Sequence, residues 1–398
     1  MAVVDGLEVI VVGGGIIGCA TAYELARRGA KVTLLERSEL AAGASGRNHG
    51  LLLSPLDPVM VPMASETAGA YDGIKDMAPI PLRLDPGPIG FLLAAGDDRA
   101  EQEAGREEAE AAATCGVAIE HLDQAGVRDL EPGLAKDLTD GWLLDDGRRL
   151  DPAALTVSFA LMARAHGADV LTHVATRALV LSDDRVAGVT TDDGPLQADT
   201  VIVTAGPWTA SLLRPVGIHL PVTGARGWLV HLAPSEAVVS RLVGRAGWHI
   251  PPSSEPIPPV RAEEAAEGKP AVDTGVLLQP NPDGTILVGG SREPVVRPEP
   301  EDPAVPQRLL REAIRLAPAL GQAEVLGAWW GIRPVTPDGR PVVGTIAHGL
   351  IVAAGHGSLG VILGGGTARL IAATLFEEAL PFDPQPYDPS RFARNMAT

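Results

Sequence analysis

The sequence predicts an α/β protein with one domain on a parallel sheet and another on a mixed, mainly antiparallel sheet. Residues 7–12 form a short, almost continuous apolar run, which is typical of a strand buried on both faces of a parallel sheet. A glycine-rich turn, a helical segment and a second apolar strand at 31–36 follow directly. Longer segments at 222–232 and 275–289 are expected to be antiparallel strands.

Composition and charge restrict the class of protein. The chain has 398 residues, 45% of them hydrophobic, and a formal net charge of −18. This acidity argues against nucleic acid as a partner and against polybasic docking on membranes. Cys19 and Cys115 are too few for a disulfide framework or a thiolate metal site. Without an apolar run of ~20 residues or a basic leader, a cytoplasmic protein with no integral membrane segment is expected.

The first turn carries the most specific signal. Gly13, Gly15 and Gly18 have G-x-G-x-x-G spacing between a strand and a helix. The first glycine permits a tight turn, the second lets the backbone approach a pyrophosphate, and the third lets the helix pack on the sheet. The unpaired N–H groups and partial positive charge of the helix start favour phosphate. Glu36, at the end of the second strand, is placed to accept hydrogen bonds from ribose hydroxyls and disfavours NADP.

The motif alone does not separate FAD from NAD. The next segment, 41–50, is a loop of small residues whose amides, together with Arg47, are expected to contact more phosphate. A flexible surface loop is the alternative. The segment 251–270 is interpreted as a mobile loop that covers a site, or equally as a passive insertion.

The remaining elements are assigned from local pattern. Asp151 is expected to cap a helix that has proline at its first position, and Asp183-Asp184 to form a hairpin turn. A second strand–glycine–helix unit begins at Leu350. If the cofactor is long, one helix start can bind its pyrophosphate and this second one is expected to face a flavin ring. The predicted strands are 87–95, 169–171, 176–182, 186–191, 200–204 and 350–354, and the predicted helices are 59–77, 97–115, 151–166, 305–316 and one ending near 375.

Taken together, the motifs resemble those of the D-amino-acid oxidase-like flavoenzymes, a group with glycine oxidase, sarcosine oxidases and D-amino-acid dehydrogenases. The matching stretches are GGGIIGCATAYELARRGAKVTLLER, GASGRNHG, DTVIVTAGPWT, TILVGGSRE, WWGIRPVTPDGRPVVG and LIVAAGHGSLGVILGGG, in the family's order. The resemblance extends from about Leu7 to Leu375. It implies a Rossmann-type FAD-binding domain from 1–80, 150–220 and 325–380. It also implies a substrate domain from 81–149 and 221–324, followed by a tail at 381–398.

The resemblance implies which residues contact FAD and substrate. Arg333, in the GIRP motif, is expected to bind a substrate carboxylate, which a bidentate guanidinium does well. His356 and Ser358 are grouped with it as candidate catalytic residues, although His356 is expected mainly to shape the turn or the flavin. The expected cofactor contacts are Gly13, Gly15, Ile16, Ile17, Gly18, Glu36, Arg37, Ala44, Ser45, Arg47, Asn48, His49, Gly50, Val174, Ala205, Gly206, Trp208, Gly331, Arg333, Gly355, His356, Gly357, Ser358, Leu359, Gly360 and Val361. Arg226 and Trp330 are further candidates to line the site.

The chain also departs from the family pattern. Leu277 replaces a tyrosine that amino-acid-oxidising relatives often carry, Ser358 replaces a second arginine, and Leu287 replaces the lysine that assists oxygen in sarcosine oxidase-like members. These changes predict a more apolar pocket. They put a small amino-acid substrate and direct use of oxygen in doubt. His49 is offset from the position of covalent flavin attachment, so FAD is expected to be non-covalent.

The expected reaction is hydride transfer from the carbon bearing an amine to flavin N5, giving an imine that water hydrolyses to a keto acid or aldehyde. The expected partners are a small amine or amino acid and O2 or another electron acceptor; a homo-oligomer stays open. One alternative is oxidation of a 2-hydroxy acid with the same geometry. Another is a dinucleotide-binding regulatory protein without turnover. No metal-binding pattern is present.

Overall fold

The computed structural model describes residues 6–247, 273–295 and 303–392. It has the mixed α/β architecture that the sequence predicts, with one mainly parallel and one mainly antiparallel sheet. The segment 251–270, interpreted above as a loop, lies outside the described residues. None of the helices within the described ranges combines the length and apolar character needed to cross a membrane.

The glycine motif follows the middle of a six-stranded sheet. The strands, in spatial order, are β18 (Val342–Ala347), β19 (Leu350–Ala354), β12 (Thr200–Val203), β1 (Glu8–Val12), β2 (Lys31–Leu35) and β8 (Asp169–Leu171). All run parallel except β18, which pairs antiparallel with β19. The carboxyl ends of β1, β12 and β19 therefore meet at one edge, where ligands of such sheets bind.

Both faces of this sheet are covered, which explains the continuous apolar run in β1. Val9 and Val11 pack in a core with helices, whereas Ile10 and Val12 pack with a three-stranded sheet on the other face. That small sheet consists of β9 (Ala178–Ser182), β10 (Arg185–Thr191) and β11 (Gly194–Gln197). The α-helices within the described ranges are α1 (Ile16–Ala26), α2 (Val61–Ile74), α3 (Arg99–Thr114), α4 (Gln124–Leu130), α5 (Pro152–Ala165), α6 (Thr209–Leu213), α7 (Ala304–Leu316) and α8 (Gly360–Phe376).

An eight-stranded sheet forms the second layer. The strands, in spatial order, are β17 (Glu324–Val335), β13 (Thr223–Ala233), β16 (Ile286–Val295), β15 (Asp273–Pro280), β14 (Leu242–Arg245), β4 (Phe91–Ala95), β6 (Asp140–Leu144) and β5 (Ile119–Asp123). Val276, Leu278 and Val288 pack in one core with Leu316 of α7. Because side chains alternate along a strand, Leu277, Gln279 and Gly289 belong to the opposite face. A short pair of β3 (Leu51–Leu52) and β7 (Arg148–Arg149) lies beside it.

Several local predictions are confirmed. The Asp151 carboxylate accepts hydrogen bonds from the N–H groups of Ala153 (3.1 Å) and Ala154 (2.9 Å), so it caps α5 as expected. Asp183 has φ +52° in the turn between β9 and β10. The strand predicted at 87–95 is present but shorter, because β4 begins only at Phe91.

Two long segments differ from the prediction. The stretch 275–289 is a hairpin of β15 and β16, since Asn281 N–H donates to Thr285 O (2.8 Å) across a turn whose Gly284 has φ +86°. The sequence Asn-Pro-Asp-Gly at 281–284 is typical of a turn. In addition, β17 pairs with β13 along its length and so belongs to the eight-stranded sheet, although 325–380 was grouped with the FAD-binding segments. The domain boundaries themselves stay a prediction.

Candidate functional site

The glycine turn after β1 is packed too closely for side chains. Gly13 has φ +116°, and a Cβ there would lie 2.6 Å from the carbonyl oxygen of Thr204 on the neighbouring segment. A Cβ on Gly18 would overlap the carbonyl oxygen of Gly13. The first turn of α1 is therefore held directly against the strand end, which is the arrangement that the spacing of these glycines predicts.

The start of α1 is open to an anion. Gly15 is the N-cap residue and provides no side-chain cap. Ser45 Oγ accepts a hydrogen bond from Ile16 N–H (2.9 Å). The next N–H groups, those of Ile17 and Gly18, have no partner inside the helix because they belong to its first turn. With the helix dipole they form a binding site for phosphate oxygens. This cradle fits the pyrophosphate of FAD.

Glu36 is held at the end of β2 by two backbone donors. Its carboxylate accepts hydrogen bonds from Gly14 N–H (2.7 Å) and Ser38 N–H (2.8 Å). A carboxylate has about four acceptor positions, so capacity for hydroxyl donors is left. Val174 lies beside this strand end, since its N–H donates to Glu36 O (2.9 Å). The ribose contact of Glu36 stays a prediction.

The loop 41–50 is an ordered connection. Asn48 Nδ2 donates to Ala44 O and to Ser45 O (both 2.8 Å), and Asn48 Oδ1 accepts from Gly50 N–H (2.8 Å). These bonds close the short 3-10 helix Ala44–Gly46. The alternative of a flexible surface loop is therefore wrong. The polar atoms of Asn48 hold the loop, and its contact with the cofactor stays a prediction.

Arg47 links the loop to the eight-stranded sheet. Its Nη1 donates to Trp330 O (3.2 Å), and its guanidinium carbon lies 5.9 Å from the centre of the Trp330 ring. A Cβ on Gly331 would lie 3.2 Å from Cβ of Arg47. These partners are all on β17, so Arg47 docks the loop on the eight-stranded sheet. Its contact with phosphate stays a prediction.

A third turn follows β12. Ala205 leads into the 3-10 helix Gly206–Trp208, in which Gly206 has φ +55°. The Trp208 side chain is 42% exposed, and the guanidinium carbon of Arg37 lies 3.8 Å from the centre of its ring. This cation–π pair joins the ends of β2 and β12 at the sheet edge.

The second glycine turn lies at the same edge. Gly355 has φ +77°, and a Cβ there would overlap Cγ2 of Thr336. The starts of α1 and α8 pack together, since Cγ1 of Ile16 is 3.1 Å from the Cβ position of Gly364. Only β12 separates β1 from β19, so the two strand ends are about 10 Å apart. Both helix starts can thus contact one extended dinucleotide.

His356 is turned into the protein interior. Its ring is 2% exposed, and Nε2 lies 3.0 Å from Oγ1 of Thr367 on α8. Burial lowers the pKa of His356 to about 3, so the ring is neutral near pH 7. The sequence groups His356 with the candidate catalytic residues, but these contacts do not suit a catalytic residue. We assign His356 a role in positioning the turn. Gly357 N–H, next in the turn, donates to Pro334 O (2.6 Å).

Arg333 lies one residue before that contact, on β17. Its Nη1 donates to Ser291 O (3.1 Å), and a Cβ on Gly227 would overlap the guanidinium. Burial, and then the charge of Arg292, lower the pKa of Arg333 to about 10, so it remains cationic at pH 7. No acidic side chain among the described residues forms an ion pair with it. A half-buried cation without such a partner favours an anionic ligand.

His49, on the loop 41–50, lies near enough to Arg333 for the charge of Arg333 to act on its ring. Its Nδ1 lies 3.0 Å from Oε1 of Gln279, and its Nε2 is buried without a partner in the described residues. A Cβ on Gly289 would overlap Nε2 and would lie 2.5 Å from Cδ2 of Leu229. Burial, offset by the bond to Gln279 and reinforced by the charge of Arg333, lowers the pKa of His49 to about 4. The ring is therefore neutral and has a free ring nitrogen.

A buried ion pair joins β13 and β16, in the same sheet as Arg333. Arg226 Nη2 lies 2.8 Å from Oε2 of Glu293, with both side chains almost fully buried. Arg226 also lies 5.8 Å from the centre of the Trp330 ring. Sequence analysis found Arg226 but missed Glu293, Gln279 and Gly289. The polar Gln279 between apolar neighbours in β15 was the available signal.

The predicted departures from the family pattern are located as follows. Leu277 is 1% exposed in an apolar cluster with Leu51, Phe91 and Trp142. Leu287 is 8% exposed and pairs in register with Gln279. Most of the expected cofactor residues lie at the carboxyl edge or on the adjoining loop, in the segments 13–18, 36–37, 44–50, 205–208 and 355–361, with Val174 bonded to Glu36. Gly331 and Arg333 lie on β17 of the eight-stranded sheet. Their individual contacts stay predictions. Over the described ranges, no three His, Cys, Asp or Glu side chains come together as a possible metal site.

Comparison with known proteins supports the same cofactor. A family model described as FAD dependent oxidoreductase matches residues 8–374. Glycine oxidase of Pseudomonas aeruginosa is 28% identical over 407 residues, which cover 96% of this chain and 98% of that protein. The bifunctional protein ThiO/ThiG of Nostoc sp. is 28% identical over 380 residues, but the match covers 93% of this chain and 53% of that protein. The chain thus spans about half the length of such bifunctional relatives.

Solved structures show the same fold. The crystal structure of glycine oxidase from Geobacillus kaustophilus has a TM-score of 0.81 and 24% identity, and the match covers 97% of this chain and 99% of that one. The L-proline dehydrogenase from P. horikoshii has a TM-score of 0.81 and 19% identity, over 98% of each chain. The regulatory alternative without turnover finds no support in these relatives. Given the glycine cradle and a match over nearly all of its length, the chain belongs to the DAO family of FAD-dependent oxidoreductases.

Proposed function

We propose that the protein oxidises the C–N bond of a small amino acid or a similar carboxylated amine. The observation that supports this most directly is Arg333, a half-buried guanidinium with no acidic partner among the described residues. A carboxylate that binds to it would compensate the charge and fix the orientation of the substrate. Glycine oxidase of Pseudomonas aeruginosa, similar over nearly its whole length, suggests the same class of substrate.

The residues of the site have two roles: some hold the cofactor, and others orient the substrate. The start of α1 and Ser45 hold the pyrophosphate end of the cofactor. FAD, when bound, supplies the two-electron acceptor that no side chain provides. Arg333 orients the carboxylate, and Arg47 fixes the loop against β17. The imine product is released to water and hydrolyses to a keto acid or an aldehyde.

The electron acceptor is part of the proposal. Leu287, where the resemblance implies a lysine in members that assist oxygen, places an apolar side chain in the sheet. We therefore propose an acceptor other than O2 for the reduced cofactor. Formation of hydrogen peroxide, measured against reduction of an artificial dye at equal substrate concentration, tests this. Peroxide formation at the rate of dye reduction would show an oxidase.

The test of the reaction is anaerobic bleaching of the FAD-loaded protein. The panel contains D- and L-amino acids, N-methyl amino acids, polyamines and the matching 2-hydroxy acids. Bleaching by carboxylated amines and not by hydroxy acids is the expected result. If only 2-hydroxy acids bleach the flavin, the alternative of alcohol oxidation replaces the proposal. If nothing in the panel bleaches it, neither substrate class is correct.

A further inference from the structure

The ring of His49 offers a hydrogen-bond acceptor that the protein does not use. Nδ1 is taken by Gln279, whereas Nε2 is buried and has no partner among the described residues. A buried nitrogen that stays without a hydrogen bond loses the favourable contact it makes with water in the unfolded chain. A ligand that donates to it would restore such a contact. Nε2 lies over Gly289, the position where any larger residue would displace the ring.

A chain of polar groups in the β15–β16 hairpin determines which ring nitrogen carries the proton. The Asp283 carboxylate can only accept, so Thr285 Oγ1 donates to it (2.6 Å). Thr285 Oγ1 in turn accepts from Asn281 Nδ2 (3.0 Å), which leaves Asn281 Oδ1 to accept from Gln279 Nε2 (3.4 Å). The Gln279 amide is thereby oriented with Oε1 towards His49. Nδ1 must then carry the proton, and Nε2 has the free lone pair.

The surroundings of His49 keep this lone pair free at neutral pH. Arg333 on β17 is the charged group that acts on the ring, and it opposes a second positive charge nearby. From β15 the ring meets the neutral Gln279, and from β16 the backbone of Gly289. Leu229 of β13 adjoins the same place. A substrate carboxylate that binds Arg333 compensates this charge, so the ring can then accept a proton from the ammonium group of the same substrate.

We propose that His49 Nε2 binds the ammonium group of the substrate and takes one proton from it, which makes the amine ready for oxidation. The inference rests on the proposed function. In this step an N–H bond of the substrate breaks and an Nε2–H bond forms, giving an imidazolium ion and a neutral amine. The nitrogen lone pair of the amine can then form the C=N bond as the C–H bond is oxidised. The imidazolium ion returns its proton to water.

The first test measures binding without turnover. In the FAD-loaded protein with 15N-labelled histidine, one ring is expected with an unprotonated Nε2, and its signals are absent in His49→Gln. Glycine, which carries an ammonium group, should shift the Nε2 signal, whereas acetate should shift it much less. A protonated Nε2 in the free protein, or equal shifts with glycine and acetate, would overturn the proposal.

The second test measures the reductive half-reaction against pH, with the best amine from the bleaching panel. His49→Gln should slow flavin reduction at least about tenfold and remove an ionisation from the acidic limb. Gln279→Glu places a carboxylate beside Nδ1 of His49 and so raises the pKa of His49. The acidic limb of the profile should therefore shift to higher pH by about 1–3 pH units. The matched control is His121→Gln, at an exposed site on β5, which should leave the profile unchanged.

The outcomes separate the two proposals. If amines bleach the wild-type flavin but the profiles of wild type, His49→Gln and Gln279→Glu coincide, the role of His49 is wrong and the proposed function stands. If no amine bleaches the wild-type flavin, the proposed function fails and the role of His49 in an amine reaction fails with it. Unchanged acetate binding in His49→Gln shows that the variant still folds and retains the Arg333 site.

Discussion

The glycine turn after β1 and the sheet face around Arg333 are built from different kinds of contact. In the turn, the contacts are made by backbone atoms: Gly18 packs on the carbonyl of Gly13, and the start of α1 offers N–H groups. Around Arg333, side chains from different strands meet, and their charges are set by burial. A backbone site tolerates almost any side chain that does not clash. A side-chain site depends on each charge and each partner.

The largest expected effect is on the buried ion pair of the eight-stranded sheet. Glu293→Gln removes the charge that faces Arg226, and breaking a buried pair in this way costs about 3–5 kcal/mol. We expect the free energy of unfolding in urea to fall by that amount. Replacing both partners, Arg226→Met with Glu293→Leu, should recover much of the loss. Arg177→Ala, which breaks an exposed pair with Asp192, is the control and should leave the unfolding midpoint unchanged.

The second effect concerns Arg333, the residue proposed to bind the substrate carboxylate. Arg333→Ala should lower kcat/KM for carboxylated amines by about 30- to 4,000-fold, since losing one partner of a buried charged contact costs about 2–5 kcal/mol. Methylamine should lose much less, and Arg333→Lys should fall between, because lysine keeps the charge without the bidentate fork. The FAD content of all three proteins should be equal. Equal losses for methylamine and amino acids would remove the anchoring role.

The third effect is on the backbone site. Gly18→Ala forces α1 away from the Gly13 carbonyl, and overpacking of this kind costs about 1–3 kcal/mol. The dissociation constant of FAD should rise by about 5- to 150-fold if this cost falls on the bound state. Gly43→Ala is the matched control, because φ is −83° there and no atom lies within 4 Å of the Cβ position. Tight FAD binding by Gly18→Ala would show that close packing at this turn is unnecessary.

Near neutral pH the smallest effect is on stability at the second glycine turn, and it grows only as the pH falls. The pKa of buried His356 is about 3 in the folded protein and near 6.5 when unfolded, so the unfolded chain binds the proton first. Its contribution is present above pH 6.5 and is lost as pH falls towards 3, by about 1.4 kcal/mol per unit. His356→Gln should make the urea stability curve less steep between pH 6.5 and 4.5. An unchanged slope would mean that His356 is charged in the folded state.

Much of the cofactor region was predictable because its information is local. The spacing of Gly13, Gly15 and Gly18, the acid at position 36 and the second turn at Gly355 all lie in short segments of the chain. Such segments form the same turn wherever a strand precedes and a helix follows. The capping role of Asp151 was predictable for the same reason. The family resemblance then added the order of these segments and the cofactor.

The contacts around Arg333 and His49 were harder to predict from the sequence, because they join residues that are far apart in the chain. His49 meets Gln279, and Arg226 meets Glu293, only after loop 41–50 docks on strands whose register is set by the whole sheet. No local pattern states which ring nitrogen of His49 carries the proton, or that His356 turns inward to Thr367. The sequence by itself determined the backbone cradle, since turns and helix starts are local. The tertiary structure decided the charges and free lone pairs of the pocket, since burial and partners exist only in the folded chain.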